Sequence, residues 1–415
     1  MTAARADWRY GLLGLPLAFV ALPLYVQLPN HYAREFGVPI AALGAVLLGA
    51  RLFDALLDPW IGVLTDRLYA RSPAAVLAAG ALAAALLVLG FALLFFPPVR
   101  GAAALLVWAA CALLLTYAAF SILSVAHQSW GAMLGGDESE RARIVAWREG
   151  LGLAGVLLAS LLPVLAGWPA TTVVLAGGLV AGCWAWALAR RPQPQPAAQA
   201  GGGWWLPFDD RRFRSLLAVF LLNGIATAIP ATLVLFFVQD RLQAPPAQEA
   251  LFLGSYFLCA AAAVPLWLKA VRRIGLARSW LAGMALAVAV FAWAGLLGAG
   301  DGMAFFAVCA LSGVALGADL ALPGAILSGI IADAGRRGSG EGRFFGWWNF
   351  ATKLNLALAA GVALPALSLA GYAPGARTPE ALRALTLAYC LLPCLLKVAA
   401  AALLYFHFIR PGGPR

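Results

Sequence analysis

The 415-residue chain is 63% hydrophobic and 11% charged, against about 45–50% and about 25% in soluble globular proteins. So much apolar side chain under so few charges excludes a soluble fold and a disordered chain, and six cysteines exclude a disulfide scaffold. The formal net charge of +11 does not point to nucleic acid, because the basic residues fall singly or in pairs between apolar runs.

The composition therefore predicts an all-α integral membrane protein. A helical span needs about 20 apolar residues. Such segments fall near 10–29, 39–64, 73–96, 101–127, 144–167, 170–189, 214–238, 249–268, 279–299, 302–331, 344–370 and 381–408. The first is long enough to cross and has no small-residue cleavage site after it, so it is expected to be retained. Loop-like breaks lie at His31 to Val38, Asp66 to Ser72, Pro97-Pro98, Gly135 to Arg143 and Gly371 to Glu380.

With the N-terminus inside, the cytoplasmic segments carry 21 Lys and Arg, the outer loops carry 5, and Arg51, Lys353 and Lys397 fall within spans. Basic residues stay on the cytoplasmic side of membrane proteins, so both termini are expected there, in a bacterial inner membrane. The break from Arg190 to Arg212, with its Pro-Gln-Pro-Gln-Pro and Gly201-Gly202-Gly203 runs, divides the spans six and six. The expected organisation is an N-terminal six-helix bundle over 1–189, a linker over 190–212 and a C-terminal bundle over 213–415. A shift of 206 residues superposes Pro39 on Pro245, Pro59 on Pro265 and Arg67 on Arg273. That is the pattern of a parallel six-plus-six repeat, the layout of major facilitator transporters.

The second span carries Arg51, Asp54 and Asp58 at spacings of three and four residues, on one helical face. A charge at mid-bilayer costs about 2.5–3.5 kcal/mol on insertion scales, so such residues face a cavity or a partner. Two carboxylates one turn apart can bind and release H⁺ or Na⁺. The alternative is a structural salt bridge between Arg51 and one aspartate, which leaves the other unexplained. Under the repeat shift Asp54 falls on Ala260 and Asp58 on Val264, as a one-sided ion site would require.

Tyr117, Ser121, Ser124 and Gln128 form one face of the fourth span. Their hydroxyls can complete an oxygen shell around a cation, or hydrogen-bond between helices as small polar residues commonly do. Asn223 and Thr227 give the seventh span a polar face, Asp319 lies in the tenth and Lys353 in the eleventh. Arg148, Lys353 and Asp319 are the charged candidates for a solute-binding wall. Two cations against one acid favour a solute with a carboxylate, a phosphate or several hydroxyls. Lys353 could instead be neutralised by Asp319 or by the Asp54/Asp58 pair. His127 reads as a satisfied interfacial residue. Trp130, Trp147, Trp347 and Trp348 read as interfacial anchors, with sugar stacking as the sharper alternative. The cysteines read as packed thiols. No His/carboxylate metal set or nucleophile–base pair is visible in the spans, so neither an enzyme nor a cofactor is expected.

The run from Ala50-Arg51-Leu52-Phe53-Asp54 through Asp58-Pro59-Trp60-Ile61-Gly62 resembles the second-helix signature of glycoside–pentoside–hexuronide:cation symporters, the melibiose-permease type. Gly62 through Asp66-Arg67 to Arg71 resembles the loop motif of major facilitators generally. Glu138-Ser139-Glu140-Arg141, Trp147-Arg148, Ala332-Asp333 and the stretch from Glu341 to Lys353 are similar to further family segments. The resemblance implies a cation site at Asp54 and Asp58 joined by Ser121 and Ser124, with substrate or gating roles near Arg148 and Lys353. Melibiose-type members carry a third acid where this chain has Ser124, which favours H⁺ over Na⁺. They also carry a sugar-binding acid where it has Ala18, which weighs against a disaccharide. The expected protein is a monomeric, cation-coupled carrier among membrane lipids, moving a small polar or amphipathic solute. An exporter or lysolipid carrier of the same fold is the alternative.

Overall fold

The computed structural model describes residues 7–192, 203–336, 340–372 and 375–410, and every regular element among them is helical. Eight helices among these residues are long and apolar enough to cross a membrane. One of them, Glu138–Ala187, holds the fifth and sixth spans, divided where Gly167 takes a positive φ of 77° ahead of Pro169. The first span is built of shorter pieces, Gly14–Leu22, a π-helical turn at Pro23–Gln27, and Leu28–Glu35.

The breaks between helices have local causes. Ser72 accepts a hydrogen bond from the Ala75 N–H while Pro73 opens the next helix, so the second and third spans part there. Asp137 and Asp210 cap the helices that follow them in the same way. Gly275, at φ 81°, separates Pro246–Ile274 from Leu276–Ala294, a conformation that a side chain would strain. The repeat is visible in these details. Pro39 and Pro245 are the N-caps of Ile40–Arg71 and Pro246–Ile274, and Pro59 and Pro265 lie inside those same two helices.

Residues cluster into two compact units, one of Met1–Pro207 with Ile331–Phe350 and the other of Phe208–Ile330 with Ala351–Arg415. The expected linker core, 193–202, lies outside the described residues. Its described end belongs to the first unit, where Trp204 stacks between Trp60 and Trp347 at ring separations of 5.2 and 5.7 Å.

The first unit packs around Trp130 and Trp186, both fully buried. Trp130 therefore departs from the expectation of an interfacial anchor: its ring meets Trp186 edge-on and its indole N–H donates to the Arg190 carbonyl at 3.0 Å. His127 is likewise interior, stacked on Tyr10 at 4.3 Å with a ring nitrogen 2.8 Å from the Tyr10 carbonyl oxygen. The second unit has its own core, centred on Phe237, Phe305 and Tyr389.

Candidate functional site

In the first unit, Ile40–Arg71 presents Asp54 and Asp58, both completely buried. Their spacing is one helical turn, so a single face carries both carboxylates. The neighbouring helix Ala102–Met133 supplies Ser121, whose hydroxyl donates to Asp54 Oδ1 at 2.9 Å. Ser121 is itself 1% exposed, so this charge-assisted bond lies away from bulk water. One turn along, Ser124 accepts a 2.9 Å hydrogen bond from the Gln128 amide, which also donates to Asn349 Oδ1 at 3.1 Å. Tyr117 lies within electrostatic reach of Arg51 and Asp54. Six residues expected from the sequence (Arg51, Asp54, Asp58, Tyr117, Ser121 and Gln128) thus come from two helices of one unit. Asn349 is a member that the sequence reading missed. Its signal was a polar amide in an apolar span, one residue beyond the Trp347-Trp348 pair.

Close helix packing fixes this region. A Cβ on Gly346 would collide with the Asp58 carbonyl oxygen, and one on Gly342 with the Gly62 carbonyl oxygen. The start of the helix Glu341–Leu369 therefore lies backbone to backbone against the helix that bears the two acids. Just beyond the second span, Asp66 accepts the Gly342 and Arg343 N–H groups at 2.7 and 3.3 Å, with Arg343 Nε at 3.6 Å. Burial pushes the Asp66 carboxyl up to about 7, against the lowering effect of Arg343 and the two N–H donors.

Arg148 donates twice to the adjacent Glu149, at 3.0 and 2.6 Å, and lies against Tyr10. Its charge is thus balanced locally. The second unit holds Asp319 and Lys353. Asp319 meets Lys397, not Lys353: the ammonium is 2.8 Å from Asp319 Oδ2 and also donates to Asn223 at 2.7 Å and Thr227 at 3.2 Å. Asp319 Oδ1 accepts the Trp280 indole N–H at 2.8 Å. Four helices of the unit contribute to this network. The polar face of Asn223 and Thr227 is therefore the cradle of a lysine that the sequence reading counted within a span without assigning it a partner.

The two centres differ in kind. Arg51, Asp54 and Asp58 together carry a formal charge of −1, and the hydroxyls beside them are oxygen donors suited to H⁺ or a hard monovalent cation. Asp319 and Lys397 sum to zero, with all three lysine N–H donors used.

Comparison with known proteins gives a consistent picture. The profile described as MFS/sugar transport protein matches residues 9–410. The Escherichia coli (strain K12) protein YagG, provisionally described as a glycoside/cation symporter, is 27% identical over 153 residues, 36% of this chain. The matched stretch spans 33% of that relative's length. Among solved structures, the E. coli fucose:proton symporter FucP superposes with a TM-score of 0.65 at 17% identity, covering 96% of this chain and 97% of that one. A bacterial homologue of the iron transporter ferroportin, outward-facing with soaked iron, gives a TM-score of 0.71 at 14% identity over 96% and 98% of the two chains. Identities this low carry the fold alone, which is the all-α major facilitator fold.

Proposed function

The chain belongs to the MFS/sugar transport protein family, and from that premise we propose that it is a secondary transporter coupled to H⁺ or Na⁺. It is a multi-pass membrane protein and a transporter, not an enzyme. The finer reading is that a small polar or amphipathic solute, a sugar or sugar acid among the candidates, moves by alternating access with a cation held at Asp54 and Asp58.

One observation carries this reading. Two carboxylates, each 0% exposed, stand one turn apart on one helix, with a buried serine hydroxyl donating to Asp54. Burying such groups is costly unless a cation or proton offsets the charge, and an offset that can leave is what coupling needs. Ser121 and Ser124 supply neutral oxygens, where a third carboxylate would bind Na⁺ more strongly. That donor set supports H⁺ as the first choice. Arg148, Lys353 and Asp319 remain the candidate solute-facing or gating charges, though the local partners of Arg148 and Asp319 weaken the case for an anionic solute.

The test is uptake into liposomes. Purified protein should accumulate a radiolabelled solute from a panel of sugars, uronic acids and lysolipids when a pH or Na⁺ gradient is imposed. Accumulation should collapse when the gradient is dissipated. Equilibration of every solute to the same level with and without a gradient would contradict ion coupling.

A further inference from the structure

The second unit contains a cavity of about 170 Å³ that the coupling reading does not use. Its wall is dominated by aromatic and aliphatic side chains, with Phe252, Phe257 and Phe291 among them, and Asp319 and Lys397 also line it. Two tyrosines, Tyr256 and Tyr389, line it as well. Neither hydroxyl has a hydrogen-bond partner among the described residues, although Tyr389 is 4% exposed. A tyrosine hydroxyl with no protein partner keeps its donor and both acceptor positions, and on a cavity wall it is placed to meet a ligand.

We infer that this cavity is a binding site for an uncharged amphiphile, with a hydroxyl as its polar group. Three observations set the class. Volume comes first: an apolar cavity of about 150 Å³ takes a molecule the size of benzene, so the body is a ring or a short alkyl chain. Hydrogen-bonding capacity comes second. The Lys397 ammonium spends its three N–H donors on Asn223, Thr227 and Asp319, so it has none to offer an anion without breaking the network. Asp319 has acceptor capacity left, and the tyrosines can donate or accept. A hydroxyl matches both, giving its proton to Asp319 and accepting from a tyrosine. Charge comes third. A carboxylate would meet Asp319 and an ammonium would meet Lys397, each against a like charge in a medium that screens poorly. A neutral head escapes both penalties.

The cavity is lined by residues of the second unit, whereas Asp54 and Asp58 belong to the first, and the test of the cavity uses no ion gradient. Failure here leaves coupling untouched, and failure of coupling leaves this site untouched.

The full-length protein in lipid nanodiscs is photolabelled with three diazirine probes of equal chain length, an octanol, an octanoic acid and an octylamine. Labelled peptides are mapped by mass spectrometry. The octanol should concentrate on peptides bearing Tyr256, Cys309 and Tyr389, several-fold above the acid and the amine. Removing both hydroxyls by Tyr256→Phe with Tyr389→Phe keeps the cavity's shape, and should cut that labelling by about three- to tenfold. Ala315→Leu, on the wall, should abolish it. If Ala315→Leu does not fold, the tyrosine pair carries the test. Excess cyclohexanol and excess hexanol separate a ring body from an alkyl one, and competition by either supports the site. Equal labelling by the acid or the amine, competition by neither alcohol, or labelling indifferent to the tyrosine pair overturns it.

Discussion

The helices Ile40–Arg71 and Pro246–Ile274 occupy matching places in the two repeats, start after matching prolines, and differ where it matters. The first carries Asp54 and Asp58 with 0% exposure, while the second places Ala260 at 0% and Val264 at 9%. In the second unit the residues matching the acids pack as ordinary core. The Ala260 carbonyl lies so close to Gly317 that a Cβ there would reach within 2.9 Å of it. One sequence pattern thus yields one helix in both units, and the fold does not need acids at these positions. Carboxylates present in only one copy, at the cost of burial, are what the proposed coupling role would require. The same contrast separates the charge centres: a net −1 on one helix in the first unit, and a neutral Asp319–Lys397 pair shared between helices in the second.

The comparison can be broken at several points. Asp58→Asn and Asp54→Asn each keep side-chain shape and remove charge. Each should reduce gradient-driven accumulation to the level of protein-free liposomes while leaving membrane insertion and thermal unfolding intact. If both variants still concentrate solute, the acids are structural and the asymmetry between repeats loses its explanation.

The balanced pair should behave in the opposite way. Lys397→Met or Asp319→Leu alone leaves an uncompensated buried charge and should cost about 3–5 kcal/mol. The double substitution should regain more than half of that loss. Thermal denaturation of the four proteins measures this coupling directly, and additive losses would show that the pair does not act as a unit.

Ser121→Ala removes a hydrogen bond to a charged acceptor, worth about 1.5–3 kcal/mol, and should lower concentrative uptake with about a tenfold change in apparent cation affinity. Ion-concentration dependence of uptake reads it. Gly346→Val forces a branched side chain against the Asp58 backbone and should destabilise the protein by about 1–3 kcal/mol. A variant of normal stability would mean that this helix crossing is not tight.

The smallest effect concerns Asp66. Its carboxyl titrates near 7 when buried, against an ordinary value of 3.8. Between those values the folded protein holds a proton that an exposed carboxyl has released. Stability contributed through Asp66 is therefore highest below pH 4 and declines as pH rises towards 7. Asp66→Asn should flatten that part of the dependence of the melting temperature on pH. Identical slopes in the two proteins would show that Asp66 is already ionised throughout.

The legible part of the molecule was what periodicity and hydropathy control. The length of apolar runs located the spans, and the spacing of Asp54, Asp58, Ser121 and Gln128 identified residues sharing helical faces. Matching prolines exposed the repeat. What sequence could not supply was which faces meet. Charge and consecutive spans leave Asp319 open to pairing with Lys353 or to facing a cavity, and it is helix packing that delivers Lys397 to it from the far end of the chain. Trp130 looked interfacial because it stands at the end of an apolar run. Its ring is instead turned inward onto Trp186, a choice made by side-chain packing that a linear pattern does not record.

The most direct measurement is infrared difference spectroscopy of the purified protein, recorded as pH or Na⁺ concentration is changed without solute. The account predicts, besides the Asp66 carboxyl titrating near pH 7, a carboxyl band that responds to the coupling cation and that disappears in the Asp54→Asn, Asp58→Asn double variant while the rest of the spectrum persists. A cation-dependent carboxyl difference spectrum identical in the double variant and the unsubstituted protein would place the coupling site elsewhere in the chain.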